Sequence, residues 1–292
     1  MCSYQQRHSS PFARGIESAQ PKASSPSCRE RSSTELTMAL RVTRSIIPNL
    51  FTLGNLFSGF LAIIHFAKGT SDSQALITGA FYVLAAAIFD MLDGIMARLT
   101  RSSSEIGVEL DSLCDVVSFG VAPSLLLYVA HYHAFGPAGM LLAALPAMAG
   151  AYRLARFNVQ LTSLEDKLYF RGLPIPAGAL TLVTFVIFYL LPERIPTDWR
   201  SGATNFVTIT TALAMVSTIR YNNLPRPTLR SFRQRPLFSA AVVVAVVLVI
   251  ATGGSLAFPI MLVYILSGAI SHTVSIFQRW RKDRFDFDDF ED

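Results

Sequence analysis

The chain has 292 residues, of which 51% are hydrophobic and only 15% charged, with a mean hydropathy of +0.42. A charged fraction so far under the roughly 25% usual in soluble domains excludes an ordinary water-soluble globule and indicates an integral membrane protein. The net charge of +5 follows membrane orientation rather than a nucleic-acid footprint, and three cysteines, Cys2, Cys28 and Cys114, are too few for a disulfide framework.

Residues 1–40 are rich in Ser, Arg, Gln and Pro without apolar periodicity, which predicts a disordered cytosolic tail and no signal peptide. Arg41 to Ile47 is basic and partly apolar, as suits a segment at the membrane surface. Pro48 then opens the first of eight expected spans, at about 50–67, 74–98, 108–132, 136–155, 174–192, 203–219, 237–252 and 256–277. Their lengths fit a hydrocarbon core of about 30 Å. The expected fold is all-α, a polytopic membrane helix bundle with a core over 41–220, two additional transmembrane helices over 221–278, and a charged cytosolic tail over 279–292. Of the 25 Lys and Arg residues, all but Lys68, Arg194 and Arg200 lie before the first span, after the eighth, or in the loops after the second, fourth and sixth spans and the helix ends that border them. The positive-inside rule therefore puts both termini and those loops in the cytoplasm.

The polar residues within this apolar frame concentrate between Asp90 and Asp115. Asp90, Asp93, Gly94, Ala97 and Arg98 recur at spacings of three and four and so share one face of the second helix. Gly107, Asp111 and Asp115 recur at four and share a face of the third, with the polar turn Thr100-Arg101-Ser102-Ser103-Ser104 between the two. A helical hairpin thus gathers four carboxylates, which would repel one another unless cations neutralise them. An oxygen-only donor set suits a hard cation, Mg²⁺ or Mn²⁺. Gly94, Ala97 and Gly107 remove side-chain bulk where a substrate or a helix backbone must come close, and Arg98 offers a planar fork for phosphate. A buried polar brace, or a proton relay in an ion-coupled carrier, needs carboxylates but not Gly, Ala and Arg at these offsets.

The pattern D-x2-D-G-x2-A-R-x8-G-x3-D-x3-D over Asp90 to Asp115 resembles the signature of the CDP-alcohol phosphatidyltransferases at every fixed position. The resemblance implies that Asp90, Asp93, Asp111 and Asp115 hold two divalent metal ions and that Asp115 is also the catalytic base. It implies that Gly94, Arg98 and Ser104 serve the diphosphate of a CDP-linked lipid, and that the segment holding Asn49 and Thr52 contacts the nucleotide. The residues themselves also allow Asn49 as a helix cap and Asn55 as an interhelical hydrogen-bonding group.

Arg153 and Arg156, at the end of the fourth span with Asn158, lie on the aspartate side of the membrane and share a helix face. Such a pair fits a carboxylate or a phosphate on the acceptor, and equally fits lipid headgroups. Pro48 to Phe60, Arg153 to Asn158, Gly172-Leu173-Pro174-Ile175-Pro176 and Met215 to Tyr221 are similar to the serine-transferring branch of that family. This similarity implies transfer of a phosphatidyl group from CDP-diacylglycerol to L-serine, in a homodimer of the bacterial cytoplasmic membrane in contact with membrane lipids. Inositol phosphate, glycerol 3-phosphate or choline are the alternative acceptors within the family. Outside it, the alternatives are the ion-coupled carrier and a catalytically dead membrane scaffold.

Overall fold

A computed structural model describes residues 28–69, 72–100, 105–162, 172–219 and 236–288. The described residues form helices, and no strand occurs among them. Contacts divide the chain into two compact units, Met1–Arg41 and Val42–Asp292, and every candidate site residue belongs to the second.

Helix α1 spans Cys28–Lys68, α2 Ser73–Thr100 and α3 Glu105–Asp115. A π-helical turn, Val116–Val121, joins α3 to α4, Ala122–Ala130. A short 3₁₀ turn leads to α5, Gly136–Thr162. Helix α6, Ile175–Phe185, runs on through a second π turn, Val186–Leu190, and is followed by α7, Thr197–Val216. Helices α8, Pro236–Ala251, and α9, Ala257–Asp288, complete the order.

Among the described residues, four of the expected spans are long and apolar enough to cross a membrane: Pro48–Lys68, Ser73–Leu99, Ile106–Ala130 and Tyr132–Gln160. Ile175–Leu190, Ala240–Ala251 and Ala257–Ser271 are shorter apolar helices. The sixth expected span falls in α7, which is long but carries Asp198, Arg200, Asn205 and a series of threonines. Those threonines are not on the lipid side, since Thr204, Thr208 and Thr211 are fully buried. Conversely, Phe57, Phe60, Phe81, Leu84, Ile88, Val244, Val247 and Ile250 stand exposed. Buried hydroxyls with outward aliphatic and aromatic side chains are the pattern of a bundle solvated by lipid, where small and hydroxylated residues make the interhelical contacts. The protein is an all-α membrane helix bundle.

Two boundaries differ from the sequence reading. Pro48 lies inside α1 rather than at its start, and the helix already begins at Cys28, within the stretch expected to be a tail. Proline in a helix removes one amide donor, and Thr52 Oγ1, one turn after Pro48, lies 3.2 Å from the Pro48 carbonyl oxygen. At the other end α9 continues to Asp288, through most of the expected charged tail. Residues 1–27 and 289–292 of the two tails lie outside the described residues.

The core sits where α4, α5, α6 and α7 meet, with Phe119, Leu126, Leu127, Leu182, Phe185 and Met215 fully buried. Ser124 Oγ accepts the Ala147 amide at 3.2 Å, tying α4 to α5 next to Pro146. Helix α1 closes on the π turn through Gly59, since a Cβ at that position would stand 2.8 Å from Ser118 Cα. The Ser118 hydroxyl donates to the Asn55 carbonyl at 3.0 Å. That approach brings the middle of α1 against the end of α3, where the aspartates are.

Gly172 fixes the entry to α6. Its φ of +87° is left-handed, and its amide donates to Ile219 O at 2.8 Å while the Leu173 amide donates to Ala214 O at 2.9 Å. A Cβ on Gly172 would run into the Met215 carbonyl and lie 3.0 Å from that of Ser217. Gly172→Ala should therefore destabilise the fold by at least about 1–2 kcal/mol, the cost of a left-handed L-residue before any clash. The readout is a lowered melting temperature of the solubilised protein, and an unchanged one would refute this role for the turn.

Candidate active site

Helix periodicity on α2 and α3 produces the expected convergence. Asp90, Asp111 and Asp115 each offer a carboxylate oxygen within 4.8 Å of the others. Asp115 is buried, at 7% exposure, and stands immediately before the π turn. The wider turn changes the helix register just after the residue, and such bulges recur at functional sites.

Asp93 is also buried but lies outside that group of three, and its Oδ2 accepts a hydrogen bond from the Thr52 hydroxyl. Asn55, one turn further along α1, donates Nδ2 to Asp115 Oδ1 at 3.0 Å. Helix α1 thus supplies a buried donor to one carboxylate of each helix in the hairpin. Asn49 is half-buried and precedes Thr52 by three residues, on the same face of α1.

At Gly94 an added Cβ would have one neighbour within 4 Å, Arg98 Nη1 at 3.6 Å. The α2 backbone is open there, and the exposed Arg98 guanidinium lies beside the opening. Ser104 lies outside the described residues.

The two candidate acceptor arginines part company. Arg156 donates Nη1 to Val216 O at 2.9 Å and Nη2 to Ser217 O at 3.1 Å. It caps the carbonyl end of α7, a favourable place for a cation. Arg153 is 8% exposed, its Nε has no hydrogen-bond partner, and it interacts electrostatically with Asp115.

Asn55 is the site residue whose role the sequence leaves open. An asparagine in an apolar span signals an interhelical bond, but its partner, Asp115, appears only in three dimensions. A second group was not foreseen: Asn158 Nδ2 donates to Glu109 Oε2 at 3.2 Å and to Ser112 Oγ at 3.0 Å, joining α5 to α3.

The cluster fits a hard divalent cation. Its donors are carboxylate oxygens alone, and Asp111 Oδ1 is buried without a hydrogen-bond partner. A buried acceptor with nothing to accept is costly unless a cation or donor completes it.

A lipid-solvated helix bundle with an acidic cluster that could hold a divalent cation has the make-up of a membrane enzyme. Residues 45–220 match the CDP-alcohol phosphatidyltransferase model, and the chain belongs to that family. Its members generally use divalent metals. The chain is 39% identical over 181 residues to the CDP-diacylglycerol–serine O-phosphatidyltransferase of Helicobacter pylori, covering 62% of this chain and 73% of that protein. It is 34% identical over 177 residues to the archaetidylserine synthase of Methanothermobacter thermautotrophicus, covering 60% and 69%. It is 30% identical over 230 residues to the CDP-diacylglycerol–serine O-phosphatidyltransferase of Mycobacterium tuberculosis, covering 77% and 75%.

Proposed function

We propose that the protein transfers the phosphatidyl group of CDP-diacylglycerol to the hydroxyl of L-serine, giving phosphatidylserine and CMP. The observation that carries the reading is the convergence of Asp90, Asp111 and Asp115, together with Arg153, a buried arginine whose Nε has no hydrogen-bond partner. A carboxylate-bearing acceptor held by Arg153 would have its hydroxyl close to Asp115.

Asp90, Asp93, Asp111 and Asp115 would hold two divalent ions, Mg²⁺ or Mn²⁺. When bound, these offset the negative charge that builds on the diphosphate in the transition state. The chain's own residues do the rest. Arg98 and Ser104 engage the diphosphate, Gly94 lets it approach the α2 backbone, and Asn49 and Thr52 face the nucleotide. The serine hydroxyl oxygen bonds to the lipid-side phosphorus. The bond from that phosphorus to the bridging oxygen breaks, and CMP departs with the electron pair. Asp115 takes the hydroxyl proton, held for that purpose by the Asn55 amide on Oδ1.

Arg156 bears on the choice of acceptor. A phosphate-bearing alcohol would call for two converging cations, yet Arg156 is committed to the end of α7. One arginine matches the single charge of a carboxylate, and it would repel the cation of choline. The lysine and arginine distribution supports a site and termini facing the cytoplasm of a bacterial inner membrane. A homodimer is part of the same reading.

An acceptor panel tests it. Purified protein with CDP-diacylglycerol and Mg²⁺ or Mn²⁺ receives serine, inositol phosphate, glycerol 3-phosphate or choline singly, and CMP is followed. The expected result is CMP release with serine alone, lost on chelation. Release with another acceptor in place of serine would overturn the acceptor assignment, and metal-independent release would overturn the role of the aspartates.

A further inference from the structure

Asn158 lies on α5 and reaches across to α3 with its side chain. Its Nδ2 donates to Ser112 Oγ at 3.0 Å and to Glu109 Oε2 at 3.2 Å. The amide nitrogen carries two protons, and both acceptors belong to α3. Glu109 sets which way the amide faces, because an ionised carboxylate only accepts. Turned over, Asn158 would bring Oδ1 against that carboxylate, acceptor to acceptor. Ser112 fits its part as well. Its hydroxyl donates to the Val108 carbonyl at 3.1 Å, which leaves oxygen lone pairs to Asn158. Glu109 and Ser112 are three residues apart, so both contacts fall on one side of α3.

Helix α3 needs such a grip. It has 11 residues, too few for an isolated helix to be stable. Helix α1 holds its last residue, through the bond from Asn55 Nδ2 to Asp115 Oδ1 at 3.0 Å. Helix α5 holds its middle, through Glu109 and Ser112. Asp111 lies next to Ser112 within the stretch so fastened, and its Oδ1 has no hydrogen-bond partner. That oxygen is kept in place by the backbone that carries it, and the backbone by whatever grips the helix.

We infer that Asn158 is a positioning residue for the α3 half of the carboxylate cluster: by gripping Ser112 and Glu109 it holds Asp111 within reach of a cation shared with Asp90 and Asp115. The inference rests on the reading of these aspartates as metal ligands. It makes α5, the helix of Arg153, a determinant of metal affinity as well. Losing an outer hydrogen bond that orients a metal site weakens binding by about 10–100-fold. Asn158 acts through the helix rather than on a carboxylate, so the lower end of that range applies.

The test titrates the full chain in detergent with Mn²⁺ alone, without either substrate, and follows the free ion by electron paramagnetic resonance. Asn158→Ala should raise the Mn²⁺ Kd about tenfold. Ser112→Ala removes the shorter contact with little loss of volume and should raise the Kd about threefold, the share of one hydrogen bond. In the Asn158→Ala background it should add nothing, since the two act as a unit. If Asn158→Ala does not fold, the shift in Ser112→Ala decides alone. Glu109→Gln keeps an oxygen acceptor and should leave the Kd within about twofold of wild type. Ser124→Ala frees the Ala147 amide on α5 and should lower the melting temperature without moving the Kd. In turnover, saturating Mn²⁺ should return the kcat of Asn158→Ala to within about twofold of wild type, because mass action offsets a weakened site. An unchanged Kd in Asn158→Ala, an equal rise in Ser124→Ala, a tenfold rise in Glu109→Gln, full additivity with Ser112→Ala, or a kcat that stays low at saturating Mn²⁺ would each overturn the inference. A wild type that binds no Mn²⁺ would overturn the metal reading itself, and the inference with it.

Discussion

Asp115→Asn should reduce kcat for CMP release by a factor of about 10³ or more, roughly 4 kcal/mol of lost transition-state stabilisation, in a protein that stays folded. The fold can absorb the change because of Asn55. Its Nδ2 serves Asp115 Oδ1 at 3.0 Å, and its own Oδ1 is buried and unpartnered. A half-turn of the Asn55 amide would present that oxygen to the introduced NH₂, so the interhelical bond survives with donor and acceptor exchanged. The chemistry has no such substitute, because an amide cannot take up the hydroxyl proton. Amides are also poorer metal donors, and a Mn²⁺ titration separates the two effects. Weakened metal affinity is overcome by mass action, whereas a lost proton acceptor is not. The expected outcome is a melting temperature near wild type, donor binding retained, and turnover that saturating Mn²⁺ does not restore. Turnover within tenfold of wild type would remove Asp115 from the proton transfer.

What the sequence makes legible here follows from periodicity. Spacings of three and four inside apolar runs are enough to put Asp90 on one helix face and Asp111 and Asp115 on another, because the helix repeat is rigid and the membrane demands helices. The convergence of these three within 4.8 Å follows from that pattern. Contacts between segments distant in the chain were not legible. The bond from Asn55 to Asp115 spans 60 residues and that from Arg156 to Val216 also spans 60, and no local pattern encodes either partner. The π turn after Asp115 is similarly hidden, since Val-Val-Ser-Phe-Gly-Val is compatible with an ordinary α-helix. Only the packing of Gly59 against Ser118 shows why the turn is accommodated there. Hydropathy alone counts α7 as a span, but its threonines prove to be interior groups of the bundle.

The same distinction decides what the two arginines should do when removed. Three residues apart on α5, they read as one pair, but they should fail differently. Arg153→Ala should raise the acceptor KM by about 100-fold, or about 2.7 kcal/mol, the range for truncating one side of a buried charge pair. The donor KM should stay within about twofold, because Arg98, not Arg153, lies beside the opening at Gly94. Arg156→Ala should instead release the Val216 and Ser217 carbonyls and loosen the contact of α7 with the Gly172 turn, which the Arg156 guanidinium also approaches. Its signature is a lower melting temperature with both KM values little changed. Arg153→Lys refines the comparison: the charge stays, the planar fork is lost, and the acceptor KM should fall between wild type and the alanine variant. An equal rise of donor and acceptor KM in Arg153→Ala would mean that Arg153 merely braces the cluster. A selective rise in acceptor KM in Arg156→Ala would mean that its bonds to α7 yield to substrate. Because the two variants differ in which quantity moves, a general loss of fold cannot imitate the expected pair of results.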